Sequence, residues 1–190
     1  MTQRQKTEVV IVGGGIVGCA AALALRKMNI EVTLIERDLC GSHSSGVNYG
    51  GVRRQGRPLS QLPLSARAHE IWGRLSSLIG ISGEYLRSGH LKLARSESDL
   101  QSLENYRAKT LEFGMNLQML SAAELRKHYP WLGTRAVGGS LCPEDGHANP
   151  RLVSPAFAAA AVRSGAKILE RTRVKQVHHD GNHFHLMTDT

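Results

Sequence analysis

The stretch that most constrains this chain runs from Val9 to Glu36 and reads VVIVGGGIVGCAAALALRKMNIEVTLIE. Its apolar run at 9–12 is typical of a buried parallel strand, and the glycines that follow at 13, 15 and 18 form G-x-G-x-x-G. An Ala- and Leu-rich helix over 16–28 and a second apolar strand over 32–35 complete a βαβ pattern. The order of these elements predicts an α/β fold built on a Rossmann-like, dinucleotide-binding unit.

The glycines of this motif have separate steric roles. Gly13 permits the tight turn, Gly15 lets a pyrophosphate approach the backbone, and Gly18 allows the helix to pack closely against its strand. Ile16 and Val17 open the helix, so their free N–H groups and the positive end of the helix dipole point at that pyrophosphate. These five positions are therefore predicted to bind the cofactor.

Glu36 ends the second strand, eighteen residues after Gly18. A carboxylate at this place can accept hydrogen bonds from both hydroxyls of an adenosine ribose. An acid here disfavours NADP, whose additional phosphate needs a cation, although the neighbouring Arg37 leaves NADP open. Glu36 and Arg37 are both predicted to bind the cofactor. The motif alone fits FAD and NAD equally.

A long loop is predicted over Arg37–Arg57, which is dense in Gly, Ser and Asn and has neither helical nor strand periodicity. Loops of this length inside compact domains are usually functional, although a flexible linker is the alternative. Its polar side chains can donate to phosphate or ring oxygens, and its glycines let the backbone approach a flat ligand. The residues concerned are Ser44, Ser45, Asn48, Gly50 and Gly51.

The βαβ unit followed by Ser45-x-x-Asn48-x-Gly50-Gly51-x-Arg53 resembles the amino-terminal half of the D-amino-acid oxidase and sarcosine oxidase superfamily of FAD-dependent oxidoreductases. Within that superfamily, the run NYGGVRRQGRPLSQLPL most resembles the branch of glycine oxidase, opine oxidase and hydrogen cyanide synthase subunits. The resemblance implies FAD as the cofactor and oxidation of an amino acid or secondary amine by hydride transfer to flavin N5. The first alternative is an NAD-dependent dehydrogenase. The second is a non-catalytic dinucleotide-binding fragment or the FAD-binding half of a multi-subunit enzyme.

The resemblance also implies roles for individual residues. By this likeness the three motif glycines receive the FAD pyrophosphate and Glu36 binds the adenosine ribose. Ser44, Ser45 and the region of Gly50 would contact the flavin side, and Val174 would meet the adenine through its backbone.

Downstream patterns predict a small α+β lobe inserted into the nucleotide-binding domain. Helices are expected over 63–79 and 97–113, a strand over 85–94, and a short helix opened by the capping box of Ser121 and Glu124. A helix over 151–164 and strands over 166–169 and 172–177 then resume the first domain. We therefore expect 1–82 and 143–190 to form the FAD-binding domain and 83–142 to form the lobe. In the family the corresponding lobe covers the flavin and shapes the substrate pocket.

Family members normally continue for about as many residues again, so the resemblance implies a truncated second segment. Residues that grip a substrate carboxylate and residues that act as acid or base are expected in the missing half. We therefore assign no catalytic residue, although Arg53 and Arg57 are cations near the flavin-side loop. A carboxy-terminal half or partner subunit is the expected protein partner.

Composition narrows the other possibilities. The formal charge of +8 is scattered, aromatic residues make up only 5%, and no basic run appears, so nucleic acid is not an expected partner. Neither a signal peptide nor an apolar run of transmembrane length is visible. Three cysteines without C-x-x-C spacing favour a reduced, cytoplasmic protein.

Four histidines, His178, His179, His183 and His185, surround the turn sequence Asp180-Gly181-Asn182. The turn residues predict a β-hairpin. Because no cysteine or second acid completes a ligand set with zinc-site spacing, we expect a solvated hairpin and no metal. His147 lies in a turn and is expected to be a surface or capping residue.

Overall fold

A computed structural model describes residues 4–189 of the chain. They separate into two compact units. Among the described residues, the first unit comprises 4–50, Arg74–Gly83 and 149–189, and the second comprises Gly51–Gly73 and Glu84–Ala148. The second unit thus contains most of the predicted lobe together with residues 51–73.

Ten strands and six α-helices are formed by the described residues. The strands are β1 (Val9–Val12), β2 (Val32–Ile35), β3 (Gly51–Val52), β4 (His90–Ala94), β5 (Gln118–Ser121), β6 (Gly138–Cys142), β7 (Gly146–His147), β8 (Lys167–Leu169), β9 (Val174–His179) and β10 (Phe184–Thr188). The helices are α1 (Ile16–Lys27), α2 (Leu62–Gly73), α3 (Leu75–Ile79), α4 (Glu97–Thr110), α5 (Ala122–His128) and α6 (Pro150–Arg163). Short 3₁₀ turns span Leu59–Gln61 and Leu111–Phe113.

The first unit is built on a parallel sheet of strand order β1-β2-β8. Helix α1 connects β1 to β2 and packs against α6. Small buried residues on both helices, including Ala22 on α1 and Ala161 on α6, allow this close approach. The parallel pairing with a helical crossover confirms the predicted α/β fold.

The boundaries of the βαβ unit agree closely with the sequence prediction. Strands β1 and β2 have the predicted bounds, and α1 ends one residue early because Met28 is its C-cap. Asn29 then adopts a left-handed conformation, with φ of 62°, which ends the helix. Helix α6 begins at Pro150 and is capped by Asn149, whose side chain accepts a hydrogen bond from the Arg151 N–H at 3.1 Å.

The second unit contains an antiparallel sheet of order β4-β6-β5, in which Lys92 and Met119 both pair with Ser140. Both helix starts predicted on this unit are confirmed. Ser96 caps α4 in a capping box with Asp99, and Ser121 caps α5 with Glu124. A buried cluster of Leu62, Met115, Leu117 and Cys142 forms part of its core.

Three predictions for these segments were wrong. The helix expected over 63–79 is interrupted at Arg74, where φ is −124° next to the weak helix former Gly73. The strand expected over 85–94 begins only at His90, because Gly89 has a φ of +81°. The loop over 37–57 was expected to contain no strand, yet Gly51–Val52 pairs with Gly146–His147.

Strands β9 and β10 form the predicted antiparallel hairpin, in which His178 pairs with His185. The hairpin histidines are exposed. Within residues 4–189 no helix is both long and apolar enough to span a bilayer.

Candidate functional site

A cleft of about 450 Å³ opens in the first unit at the carboxyl ends of β1 and β2. Ligands of open parallel sheets bind at this edge, because loops and helix N-termini converge there. Its lining residues are Val12, Gly13, Gly15, Ile35, Glu36, Arg37, Leu39, Gly41, Ser42, His43, Ser44, Ser45, Thr172, Arg173 and Val174. Seven of them, Gly13, Gly15, Glu36, Arg37, Ser44, Ser45 and Val174, were predicted from the sequence.

The glycine-rich loop is fastened to the sheet by backbone contacts. Gly13 has a φ of +110° and donates its N–H to the Ile35 carbonyl at 2.8 Å. A Cβ atom on Gly18 would lie 2.0 Å from the Gly13 carbonyl oxygen, so only glycine allows α1 to approach the end of β1. By contrast, a Cβ on Gly13 would meet nothing within 4 Å, which leaves open space beside the loop.

The amino terminus of α1 points its backbone donors toward this space. In the described chain the N-cap residue, Gly15, supplies no side-chain cap, and the first helical turn has no acidic residue. The Ser45 hydroxyl accepts a hydrogen bond from the Ile16 N–H at 3.0 Å. Because the remaining donors and the helix dipole favour an anion, this end of α1 fits a pyrophosphate.

Glu36 holds its carboxylate beside the glycine-rich loop with only 8% of the residue exposed. One carboxylate oxygen accepts the Gly14 N–H at 2.6 Å, and the other accepts the Asp38 N–H at 2.8 Å. Each oxygen keeps a second lone pair, so each can also accept a hydroxyl donor. The side chain therefore has the capacity to bind a ribose diol at the cleft.

A charged rim adjoins Glu36. The Asp38 carboxylate lies 2.5 Å from His43 Nε2 and 3.5 Å from Arg37 Nε. The hydrogen bond from His43 holds the pKa of Asp38 below its usual value. Donor atoms of Glu36, Asp38 and His43 lie within 4.8 Å of one another, but Asp38 and His43 already satisfy each other, and we assign no metal ion to them.

The segment that leaves β8 forms the opposite wall of the cleft. Arg171 N–H donates to the Asp38 carbonyl and Thr172 N–H donates to the Glu36 carbonyl, both at 2.9 Å. This pairing brings Thr172, Arg173 and Val174 to the cleft. Sequence reasoning identified only Val174 among these three residues. The position of Thr172 and Arg173 depends on the hydrogen bonding of β8 to β2, which places residues 170–173 beside residues 36–38. The local sequence does not indicate this pairing.

The loop after β2 is anchored at several points. Cys40 N–H donates to the Glu170 carboxylate at 2.7 Å, and Gly41 N–H donates to the Gly14 carbonyl at 2.9 Å. Gly41 has a φ of +81°, and a Cβ there would lie 2.8 Å from Ser154 Cβ and 3.0 Å from Pro155 Cδ. These contacts favour an ordered loop over a flexible linker.

Six predicted cofactor residues do not line the cleft: Ile16, Val17, Gly18, Asn48, Gly50 and Gly51. Asn48 instead stabilises its own loop, because its amide nitrogen donates to the Ser44 and Ser45 carbonyls at 3.0 Å. The Asn48 side-chain oxygen accepts the Gly50 N–H at 2.8 Å. Gly51 belongs to the second unit, where it forms part of β3.

The second unit has a buried polar centre of its own at Asp145, which sequence reasoning missed. The fully buried Asp145 carboxylate accepts the Arg54 N–H at 2.8 Å and the Gln55 N–H at 2.9 Å. His69 Nε2 lies 3.5 Å from the same carboxylate, and the Gln55 side chain reaches His90 Nδ1 at 2.9 Å. Burial lowers the pKa of both His69 and His90.

The remaining histidines occupy surface positions. His147 Nδ1 lies 2.9 Å from the Ser88 hydroxyl and is exposed, in line with its expected surface role. On the hairpin, His185 Nε2 lies 2.6 Å from the Asp180 carboxylate, and the rings of His178 and His185 stack with centroids 6.4 Å apart. The hydrogen bond from His185 holds the pKa of Asp180 well below its usual range.

Comparison with known proteins agrees with this geometry. Glycine oxidase from Geobacillus kaustophilus is 30% identical over 190 residues, which cover 96% of this chain and 50% of that protein. A subunit of the opine oxidase from Rhizobium meliloti is 26% identical, covering 90% of this chain and 49% of its own length. The solved structure of L-proline dehydrogenase from P. horikoshii matches with a TM-score of 0.90 and 30% identity, covering 98% of this chain and 50% of that one.

The chain therefore spans about half the length of these relatives. A family model described as FAD dependent oxidoreductase, DAO, matches residues 8–190. This match confirms the predicted family and, with it, FAD as the cofactor in place of NAD. Because the match extends over nearly the whole sequence and includes the glycine-rich loop, Glu36 and Val174, the chain belongs to the DAO family of FAD-dependent oxidoreductases.

Proposed function

We propose that the first unit binds the ADP part of FAD and that the chain belongs to an enzyme oxidising the C–N bond of an amino acid or secondary amine. The observation that carries the binding proposal is the buried Glu36 carboxylate, 2.6 Å from the Gly14 N–H in the same cleft as the start of α1. The substrate class is supported by the relatives, which include a glycine oxidase and an L-proline dehydrogenase.

In this proposal different residues of the cleft contact different parts of the cofactor. The backbone at Gly15 and the free donors of α1 hold the pyrophosphate, and the Ser45 hydroxyl completes that donor set. Glu36 accepts the ribose hydroxyls, and Val174 meets the adenine. When bound, FAD supplies the hydride acceptor, flavin N5, for the oxidation.

Arg37 and Arg173 add positive charge to the rim of the cleft, where both line the cavity. A dinucleotide carries two phosphate charges, so cations at the entrance favour its approach through long-range attraction. We propose that these two arginines assist capture of FAD and that Glu36 fixes its orientation. Adding salt should therefore slow FAD association more than it speeds FAD release.

A second candidate function is that of the FAD-binding half of a multi-subunit enzyme. Two observations favour it: one relative is a subunit of an opine oxidase, and the chain spans about half of that relative. Within residues 4–189, β1 is hydrogen-bonded to β2 alone, so its other edge offers free backbone donors and acceptors. A strand supplied by a second polypeptide would satisfy that edge.

We also propose a cytoplasmic location. Cys19, Cys40 and Cys142 are all free thiols in the described part of the chain. Free, buried thiols are typical of proteins kept in a reducing compartment. Fractionation of cells that express the untagged native protein would test this location directly.

The decisive experiment is titration of the purified 190-residue chain with FAD, followed by flavin absorbance and fluorescence. The binding proposal predicts saturable quenching that NAD does not reproduce at the same concentration. Absence of FAD binding by a folded chain would contradict the proposal.

Anaerobic addition of glycine, sarcosine or L-proline to the FAD-loaded chain then tests turnover. We expect no flavin bleaching from the chain alone and bleaching once a carboxy-terminal half or partner subunit is supplied, because substrate contacts are expected there. Bleaching by the isolated chain would show that the described residues already contain a complete active site. Bleaching in neither case, with FAD bound, would favour a non-catalytic dinucleotide-binding role.

A further inference from the structure

Two cysteines meet beneath the glycine-rich loop of the first unit. Cys19 lies in the first turn of α1 and is fully buried, and Cys40 follows β2 and is 5% exposed. The Cys19 thiol donates to the Gly14 carbonyl at 3.2 Å, and a Cβ on Gly14 would lie only 2.6 Å from Cys40 Sγ. The two thiols are close enough to shift each other's pKa. Gly14 is therefore packed against both sulfur atoms of a thiol pair.

Gly14 also connects this thiol pair to the proposed cofactor site. Its N–H donates to the Glu36 carboxylate at 2.6 Å, and its carbonyl accepts the Gly41 N–H at 2.9 Å. A displacement of Gly14 would therefore move the acceptor proposed for the ribose and the loop that lines the cleft. Because the interior is closely packed, a change of bonding at the sulfur atoms is transmitted to Gly14.

We propose that Cys19 and Cys40 are a modification site at which a hydroperoxide forms a reversible disulfide, and that this disulfide weakens dinucleotide binding at the glycine-rich loop. The second half of this proposal rests on the proposed FAD-binding function, whereas formation of the disulfide does not.

The two thiols have different roles in the reaction. Cys19 lies in the first turn of α1, where the positive end of the helix dipole stabilises a thiolate, so Cys19 is the nucleophile. In the same direction, interaction with Cys40 lowers the pKa of Cys19, and interaction with Cys19, together with burial, raises the pKa of Cys40. Its sulfur attacks one peroxide oxygen, the O–O bond breaks, and the second oxygen leaves as water or an alcohol, giving a sulfenic acid.

The sulfur of Cys40 then attacks the sulfenic sulfur, forming the S–S bond and releasing water. Each thiol loses one proton in the two steps. The thiol pair is oxidised by two electrons, and the peroxide is reduced by the same two electrons. A small dithiol reverses the reaction by thiol–disulfide exchange.

Burial controls the rate of this oxidation. Peroxide reaches Cys19 only when the loop that follows Cys40 opens, because the Cys19 side chain has no exposed surface. Gly41, Ser42 and Ser45 of that loop line the cleft, so bound FAD should hold the loop closed. We therefore expect FAD to slow disulfide formation, by about tenfold or more at saturating FAD.

The test uses the whole chain, treated with hydrogen peroxide, alkylated and digested for mass spectrometry. We expect a Cys19–Cys40 crosslinked peptide that is lighter by two hydrogen atoms and disappears after dithiothreitol. The Cys142→Ser variant should still form it, because Cys142 lies in the second unit and is not part of the pair. The Cys40→Ala variant should form none.

The second measurement is FAD affinity before and after oxidation. The FAD Kd of the wild type should rise about tenfold on oxidation and recover on reduction. The Kd of Cys40→Ala should not respond to a disulfide-forming dose of peroxide. Should Cys40→Ala fail to fold, the FAD Kd of Cys40→Ser can be measured before and after peroxide instead. The rate of disulfide formation in the wild type, with and without FAD, then tests the same link between the thiol pair and the cofactor loop.

The outcomes separate the two parts of the proposal. Recovery of Cys19 and Cys40 as free thiols, or as separate sulfinic acids, after exposure to peroxide would overturn the modification site. A disulfide that leaves the FAD Kd unchanged would overturn its link to the cofactor loop. If the reduced protein binds no FAD although the crosslink forms, the proposed function fails and the modification site stands.

Discussion

The carboxylate of Glu36 accepts the backbone N–H of Gly14 at 2.6 Å, so the residue proposed to bind the cofactor ribose also holds the loop proposed to bind its pyrophosphate. The contact joins the end of β2 to the turn after β1, two segments separated by the whole of α1. A charge-assisted hydrogen bond to a backbone N–H is stronger than a neutral one. Glu36 therefore acts on the cofactor both directly and by fixing the shape of the glycine-rich turn.

Glu36→Ala should weaken FAD binding by about 1 to 3 kcal/mol, since the ribose loses a charged acceptor and Gly14 loses its partner. Glu36→Gln should weaken binding less, because the Gln side chain has the same length and keeps one carbonyl oxygen as an acceptor. Flavin fluorescence titration would measure both dissociation constants. Glu112→Ala is the matched control, as it removes an exposed glutamate from the second unit. An FAD Kd that is equal in wild type and Glu36→Ala would exclude the ribose assignment.

Gly15→Val should abolish FAD binding while preserving helix content. The added Cβ would lie 2.9 Å from the Ser45 hydroxyl, and the remaining side-chain atoms would occupy space at the pyrophosphate position. Circular dichroism and FAD titration would separate folding from binding. Gly133→Val serves as the control, because a Cβ there meets nothing within 4 Å. Retained FAD binding by Gly15→Val would mean that the glycine serves backbone packing alone.

Asp145→Ala should destabilise the second unit by about 2 to 5 kcal/mol, since the N–H groups of Arg54 and Gln55 would lose their buried acceptor. The neighbouring Glu144 offers a matched control with its side chain 47% exposed and 3.9 Å from Arg54. Glu144→Ala should change the free energy of unfolding by no more than about 0.5 kcal/mol. Urea denaturation followed by tryptophan fluorescence suits this test, because both tryptophans lie in the second unit. Equal effects of the two substitutions would contradict the role assigned to Asp145.

The second unit should lose stability as the pH falls below about 6.5. Burial holds the pKa of His69 and His90 below the ordinary value of 6.5 in the folded chain. Between each folded pKa and 6.5 the unfolded chain binds more protons than the folded chain, so the free energy of unfolding decreases as the pH is lowered. Urea midpoints at about pH 7.5 and about pH 5.5 would show the loss.

His69→Gln and His90→Gln should each reduce this pH dependence, whereas substitution of the exposed His183 should leave it unchanged. The change of the urea midpoint with pH should be compared between variants, since either buried substitution also changes stability at neutral pH by removing a packed ring. A wild-type urea midpoint that is equal at both pH values would contradict the prediction.

The βαβ unit was predictable because its signals are local. An apolar run, three glycines and a helix that stops just before the left-handed Asn29 fall within one continuous stretch, and each has a steric or capping reason to be where it is. The starts of α4 and α5 were predictable for the same reason, since a capping box involves residues only three apart. In these elements the local preference and the tertiary structure agree.

Strands β5 and β6 could not be predicted in this way. The sequence of β6 is GGSLC, which has neither alternation nor β-branched residues, and its strand conformation depends on pairing with β4 and β5 on either side. The burial of Asp145 had no local signal either, because its partners Arg54 and Gln55 lie about ninety residues earlier in the chain. The wall of the cleft at Thr172 and Arg173 depends likewise on the pairing of β8 with β2.

Few amino-acid substitutions should be tolerated at Gly41. Its left-handed backbone disfavours any side chain, and the place of a Cβ is already filled by Ser154 and Pro155 of α6. In a saturation library, substitutions at position 41 should therefore be rescued rarely by a single second change, because even Ser154→Gly, which removes the Ser154 Cβ, leaves the contact with Pro155 Cδ and the backbone strain. Directed evolution of new ligand preferences in the cleft would thus proceed more readily through Ser42 and Ser44, whose side chains are exposed, than through the glycine between Cys40 and Ser42.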